Sequence, residues 1–268
     1  MRALLIGDVI GRPGRVLAQR LVPDLRRELS VDLVVINCEN AAAGAGVTPS
    51  VADELFQAGA DVLTSGNHIW RKKEALELLK LDHRVVRPAN YPDGAPGMGS
   101  VVIETLSGKK VGILNLIGRV FLEIVDCPFK VGQREVDRLK LSTPMIIVDM
   151  HGEATSEKVA MGWFLDGKVS CVFGTHTHIP TADERILPKG TGFITDIGMT
   201  GPYDSVIGRK VDQILERFLG GLPMKSDVAE GNLQLHALVV DIDERSGKAT
   251  RVERIKRTLD ERVSGAER

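Results

Sequence analysis

The stretch VFGTHTHIP, Val172 to Pro180, sets two of the chain's six histidines, His176 and His178, two residues apart between an apolar run and a proline. On an extended segment residues i and i+2 share a face, so the pair is expected to turn both imidazoles one way and reach adjacent metal ions. Five further residues offer compatible chemistry: Asp8, Glu39, Asn40, Asn67 and His151. Hard oxygens with borderline nitrogens are the mix that suits Fe, Mn or Zn. A single structural zinc is closed by four ligands, usually with thiolates, and this set is too large for that. Two ions about 3.5–4 Å apart, sharing a bridging carboxylate and a hydroxide that is nucleophilic at neutral pH, account for it better. Glu39 is the expected bridge.

Such groups act together only if the chain brings them to one edge. Each follows an apolar run: Asp8 after LLIG, the NCEN block (Asn37 to Asn40) after LVVI, GNH (Gly66 to His68) after VLTS, His151 after IIVDM, and GTHTH after VSCVF. In open α/β sheets ligands bind beyond the carboxyl ends of strands, so five strand ends are expected to meet at a metal site. Helical spacing fills the intervals. RPGRVLAQRLVPDLRREL has Pro13 near its start and Pro23 as a candidate kink. TPSVADELFQAGA has Thr48 as N-cap, Pro49 at the first helical position and Gly59 as its stop. KKEALELLK and TSEKVAMGWFL complete the helical set. SVVIETL and KKVGILNLIG read as a strand pair turning at SGKK, and LQLHALVVDID with KATRVERIK as a closing hairpin turning at ERSGK. The alternation gives an α/β class, and the hairpins predict mixed sheets.

The 268 residues, 43% hydrophobic and 26% charged, suffice to bury one sizeable core, and a single domain over 1–268 is expected. A formal net charge of −1 argues against a general basic surface for nucleic acid. No feature indicates an RNA or protein partner, and a homo-oligomer is left open. The three cysteines, Cys38, Cys127 and Cys171, are odd in number and lack a C-x-x-C spacing, and MRALLIGDVIG runs straight into a strand. A cytoplasmic protein is expected. No apolar run reaches the roughly 18–20 residues that cross a bilayer, so no membrane partner is expected.

The order Asp, acidic-Asn block, Gly-Asn-His, lone His and Gly-x-His-x-His resembles the calcineurin-like metallophosphoesterases. GDVIGRPGR, NCENAAAGAG, TSGNHIW and DIGMTGPYDSVIG are similar to their YmdB-like branch of bacterial cyclic nucleotide phosphodiesterases, over nearly the whole chain. The chain departs from the wider superfamily twice, both times in the manner of that branch. Asp8-Val9-Ile10 stands for Asp-x-His, and Asn37-Cys38-Glu39-Asn40 for Gly-Asp-x-x-Asp/Asn. The resemblance implies a metallophosphoesterase-like sandwich of two mixed β-sheets flanked by helices. It also implies one ion held by Asp8, Glu39, Asn40 and His178, and another held by Glu39, Asn67, His151 and His176. Asn40 then takes up the coordination of the missing first-motif histidine. Iron, or iron with manganese, is implied ahead of zinc. His68 is left without metal, beside the substrate, to protonate the leaving alkoxide or to stabilise charge on the phosphorus oxygens. The implied activity is hydrolysis of a small phosphodiester, a 2′,3′- or 3′,5′-cyclic nucleoside monophosphate, by attack of a metal-bridging hydroxide on phosphorus.

Plainer roles compete. A lone His151 after a strand is an ordinary buried histidine, Asn40 an αL turn residue, and Arg12 a solvated helix-start residue rather than a phosphate contact. TGPYDSVIG is either pocket wall or turn. The cysteines read as small buried residues, with Cys38 a candidate support for Glu39, and His83 and His236 read as structural. GDVIGRPG is not the G-x-G-x-x-G dinucleotide fingerprint. A β-lactamase-like metallohydrolase would need H-x-H-x-D-H, but Ile179 and Pro180 follow His178. The remaining alternative is a regulatory protein that keeps the metal and nucleotide site with little turnover, since ligands establish binding and not catalysis.

Overall fold

The computed structural model describes residues 1–259. The first half holds β1 (Arg2–Ile6), β2 (Asp8–Val9), α1 (Gly11–Glu28), β3 (Leu33–Asn37), α2 (Pro49–Gln57), β4 (Val62–Thr64), α3 (Ala75–Leu81), β5 (Val85–Val86), β6 (Ser100–Glu104) and β7 (Lys110–Ile117). The second holds α4 (Pro128–Lys140), β8 (Ile146–His151), α5 (Thr155–Leu165), β9 (Cys171–Thr175), β10 (Arg185–Ile186), β11 (Gly192–Ile194), β12 (Met199–Pro202), α6 (Val211–Gly220), β13 (Leu233–Ile242) and β14 (Ala249–Thr258). One sheet runs β2-β12-β13-β1-β3-β4-β5 with β14 beside β13, and the other β10-β11-β9-β8-β7-β6. Both are mixed. β1-β3-β4-β5 and β11-β9-β8-β7 pair in parallel, while β13 with β14 and β6 with β7 are antiparallel.

Alternate residues of the central strands serve two different cores, which is why those strands read as unbroken apolar runs. Between the sheets, Ala3, Leu5, Leu33 and Val35 meet Ile113, Ile147, Cys171 and Phe173. Leu4, Ile6, Val34 and Ile36 face the other way, onto Ala18, Val22 and Leu25 of α1 and Val51 and Leu55 of α2. On the far flank, Leu114, Leu116, Ile146 and Val148 meet Val136 and Leu139 of α4 and Met161 and Leu165 of α5. The result is the expected sandwich, with helices outside both sheets. Each aliphatic side chain so buried contributes roughly 1.5–3 kcal/mol, so these packed faces fix where the strand ends lie.

Local signals act largely as expected. Thr48 caps α2 by accepting from Val51 N at 3.4 Å, Pro49 opens the helix, and Gly59 leaves it at φ 104°. Pro23, a candidate kink, lies inside α1 without ending it. The carbonyl that loses its partner there belongs to Gln19, an exposed residue on the solvent side of the helix. The single domain expected over 1–268 includes residues 260–268, which lie outside the described part. Among the described residues no helix is long and apolar enough to cross a membrane.

Candidate metal centre

The inter-sheet face changes character at the ends of the central strands. The alternation that puts Val35, Val62, Ile113, Ile147 and Phe173 in the core puts Asn37, Thr64, Asn115, Asp149 and Thr175 two residues further on. All five are buried. Asp149 gathers them across the two sheets: Asn37 Nδ2 donates to its Oδ2 at 3.0 Å, Thr64 Oγ1 donates to the same oxygen, and Thr175 Oγ1 donates to Oδ1 at 2.7 Å. Asn115 Oδ1 accepts from Ser65 N at 3.1 Å. Burial pushes the Asp149 carboxyl up to about 7, against the hydrogen bonds from Thr64, Thr175 and Asn37.

On this polar floor the candidate ligands converge. Nitrogen and oxygen atoms of Glu39, His151 and His176 lie within 4.8 Å of one another. Glu39 Oε1 is 3.2 Å from His151 Nε2, 3.4 Å from His68 Nδ1 and 3.9 Å from His176 Nδ1. Asn67 Oδ1 is 3.3 Å from His151 Nε2. Asp8 Oδ2 accepts from His176 N at 3.2 Å, and its Oδ1 lies 4.0 Å from His178 Nε2. Asn40 Nδ2 donates to Gly44 O and to His68 Nδ1, both at 3.1 Å, which leaves its oxygen for other use.

Each of three imidazoles is held by its outer nitrogen, and that settles what the inner one presents. His178 Nδ1 lies 3.0 Å from Ile207 O, which can only accept. Thr175 has given its proton to Asp149, so its oxygen accepts from His151 Nδ1 at 2.9 Å. His176 Nε2 is 3.1 Å from the Glu153 carboxylate. In the neutral rings the inner nitrogens therefore turn lone pairs toward carboxylate oxygens and, for His176 Nδ1 and His151 Nε2, toward each other at 3.0 Å. Such a gathering repels itself unless a cation or a shared proton lies within it. Three buried oxygens at the same place, Asp8 Oδ1, Glu39 Oε1 and Asn40 Oδ1, have no hydrogen-bond partner, a condition that costs about 1–3 kcal/mol per atom. The donor set fits transition ions. Burial and the Glu39 charge hold the Asp8 carboxyl well above the usual range. At Glu39 burial acts in the same direction, but His151 and His176 overcome it and hold that carboxyl well below. Burial also pushes His151 down to about 4, so its imidazole is neutral at physiological pH.

Several expectations are corrected. β9 ends at Thr175, and His176 and His178 adopt φ of 97° and 67°, so His-Thr-His is a left-handed loop and not an extended segment. The imidazoles accordingly diverge, His176 toward Glu39 and His178 toward Asp8. Asn40 is not at positive φ, which removes the αL reading. Asn67 opens a 3-10 helix over Asn67–Arg71. His68 sits at its start, with its N–H donating to Glu39 Oε2 at 3.1 Å. Since the Asn40 amide donates to His68 Nδ1, the proton of neutral His68 is on Nε2, and its side chain is 27% exposed. Burial lowers its pKa.

Other residues singled out sort as follows. Arg12 is exposed. Cys38 and Cys171 pack in the apolar clusters. His236 stacks on Tyr203 at 4.8 Å and bonds Gln234. TGPYDSVIG supplies Ile207 O to His178, so it shapes the site. Sequence reasoning missed Asp149, Thr175 and Glu153, which hold the outer sides of His151 and His176.

Gly66 yields a direct test of this packing. Its φ of −156° is not left-handed, and a Cβ there would overlap Glu39 Oε2 and His151 Nε2. Gly66→Ala is expected to keep its far-ultraviolet circular dichroism while holding clearly less metal than the parent by elemental analysis. Full loading of that variant would contradict the close approach.

Over residues 4–255 the chain matches the family described as YmdB-like protein. It is 47% identical over 255 residues to the 2′,3′-cyclic-nucleotide 2′-phosphodiesterase of Bacillus subtilis strain 168, a match that covers 95% of this chain and 96% of that protein. A hypothetical protein from Thermus thermophilus superposes with a TM-score of 0.91 at 40% identity, over 97% of this chain and 100% of that one. A Mycoplasma pneumoniae protein described as a novel phosphatase gives 0.90 at 35% identity, over 96% and 93%.

Proposed function

The chain belongs to the YmdB-like family, and from that membership and its site geometry we propose that it is a phosphodiesterase hydrolysing cyclic nucleotides, with two transition ions held by a single domain. The observation that carries the reading is the set of three buried, unpartnered oxygens among inward-facing imidazole lone pairs. Asp8, Glu39, Asn40 and His178 would hold one ion, and Glu39, Asn67, His151 and His176 the other. Iron, or iron with manganese, is the proposed content. Bound there, the ions would supply Lewis-acid charge for the phosphoryl oxygens and a water that ionises near neutral pH.

The chain's own residues carry the remaining roles. His68 presents Nε2 at the exposed side of the cluster and, in its protonated form, gives the Nε2 proton to the departing sugar oxygen and returns to the neutral ring. Asn40 holds the neutral ring through Nδ1. Ile207 O, Thr175 and Glu153 hold the three other rings in orientation.

The test is an assay of purified protein loaded with defined Fe²⁺ or Mn²⁺ against 2′,3′- and 3′,5′-cyclic mononucleotides, bis-p-nitrophenyl phosphate and p-nitrophenyl phosphate. Expected are about two ions per chain and turnover of the cyclic nucleotides and the aryl diester. The activity of the Bacillus subtilis relative supports the 2′,3′-cyclic substrates first. Cleavage of the monoester with every diester untouched would overturn the reading. Full metal loading with no ester cleaved would favour the regulatory alternative.

A further inference from the structure

Beside the His-Thr-His loop lies a buried ion pair that the proposed chemistry does not use. Lys158 of α5 places Nζ 2.7 Å from Oδ2 of Asp196, in the turn between β11 and β12, and both side chains are shut off from solvent. The same carboxylate oxygen accepts from Thr177 N at 3.2 Å and from Thr177 Oγ1 at 2.7 Å, and Oδ1 accepts from Gly198 N at 2.8 Å. Asp196 O accepts from Thr181 N at 3.0 Å. Lys158 Nζ also donates to Thr175 O at 3.3 Å, just ahead of His176. The pair therefore grips the loop at Thr175, Thr177 and Thr181, around both histidines.

That grip answers two facts that are otherwise unexplained. Left-handed backbone is unfavourable for residues that carry a Cβ, and the loop contains two such residues, His176 and His178. A buried ion pair, for its part, often stabilises a fold no better than apolar residues of the same shape, so stability alone does not account for this one. We propose that Lys158 and Asp196 are positioning residues, which through Thr177 lock the loop in the shape that turns His176 toward Glu39 and His178 toward Asp8 before metal arrives. This rests on the metal reading above.

The decisive variant is Thr177→Val, which keeps nearly the same shape and leaves the ion pair intact but removes the hydroxyl bound to Asp196. Asp196→Asn is its companion, and if that variant does not fold, Thr177→Val decides alone. Mn²⁺ affinity of the whole protein is measured by chelator competition, beside the Tm of the metal-free form. Affinity is expected to fall about 10–100-fold, the span that outer partners of metal ligands carry, while the metal-free Tm of Thr177→Val stays near the parent's. A parent that binds Mn²⁺ and a Thr177→Val that binds it equally well would overturn the inference and leave the metal reading standing. Loss of affinity accompanied by a matching loss of metal-free stability would reduce the pair to a structural role and overturn it too. A parent that binds neither Mn²⁺ nor Fe²⁺ would bring down the metal reading, and the inference with it.

Discussion

Glu39→Gln is expected to give a folded protein that holds little metal and turns over cyclic nucleotides far more slowly than the parent, beyond the roughly 10–100-fold that outer partners of a ligand carry. Glu39 Oε1 stands within 4 Å of three imidazole nitrogens and is buried without a hydrogen-bond partner. An amide keeps the volume but brings no charge to share between two ions. Its NH₂ would also donate into the inward lone pairs of His151 and His176, satisfying with hydrogen bonds a cavity that otherwise calls for a cation. The rise in Tm that metal gives the parent should disappear. Elemental analysis, turnover and Tm with and without metal check the three parts. Near-parent turnover at full loading would remove Glu39 from the bridging position.

His68→Ala should separate substrates by their leaving groups. The ring is held by Asn40 and lies 3.4 Å from Glu39 Oε1, yet its Nε2–H has no protein partner among the described residues. A general acid matters most when the leaving group is poor. Cyclic nucleotides expel a sugar alkoxide, so their turnover is expected to fall by about 10²- to 10⁴-fold. Nitrophenolate leaves without a proton, so cleavage of bis-p-nitrophenyl phosphate should survive far better at equal metal occupancy. Equal losses on both substrates would make His68 a charge stabiliser or a positioning residue. Loss of an ion would mean that it belongs among the ligands.

Much of this site was legible because the same period-2 alternation builds the core and ends it. Asp8, Glu39, Asn67 and His151 stand at or just beyond the places where apolar runs stop, so they read directly from the sequence, while Asp149 and Thr175 lie inside β8 and β9 and did not. The His-x-His geometry was misread because that alternation holds only while a strand is paired. The pairing of β8 with β9 ends at His151↔Thr175, and the loop beyond follows its own dihedrals. Lys158 and Asp196 were invisible for a different reason. A helical lysine reads as a solvated surface residue, and its partner lies 38 positions away. Helix α6 was missed although Val211, Ile214, Leu215, Phe218 and Leu219 have helical spacing, and of these only Ile214 is buried.

The candidate ligands divide between the sheets: Asp8, Glu39, Asn40 and Asn67 follow the ends of β1, β3 and β4, while His151, His176 and His178 lie at or beyond the ends of β8 and β9. Neither half offers a carboxylate cluster and an imidazole cluster together. During synthesis the nascent chain exposes the acidic half long before the histidines emerge, and it can hold no ion with the mature set until the two sheets have closed on each other. With the proposed ligand set, metal loading would follow closure of the two sheets, and an ion bridging the halves would act as a clasp across the seam. Maturation and closure of the core would then be a single checkpoint.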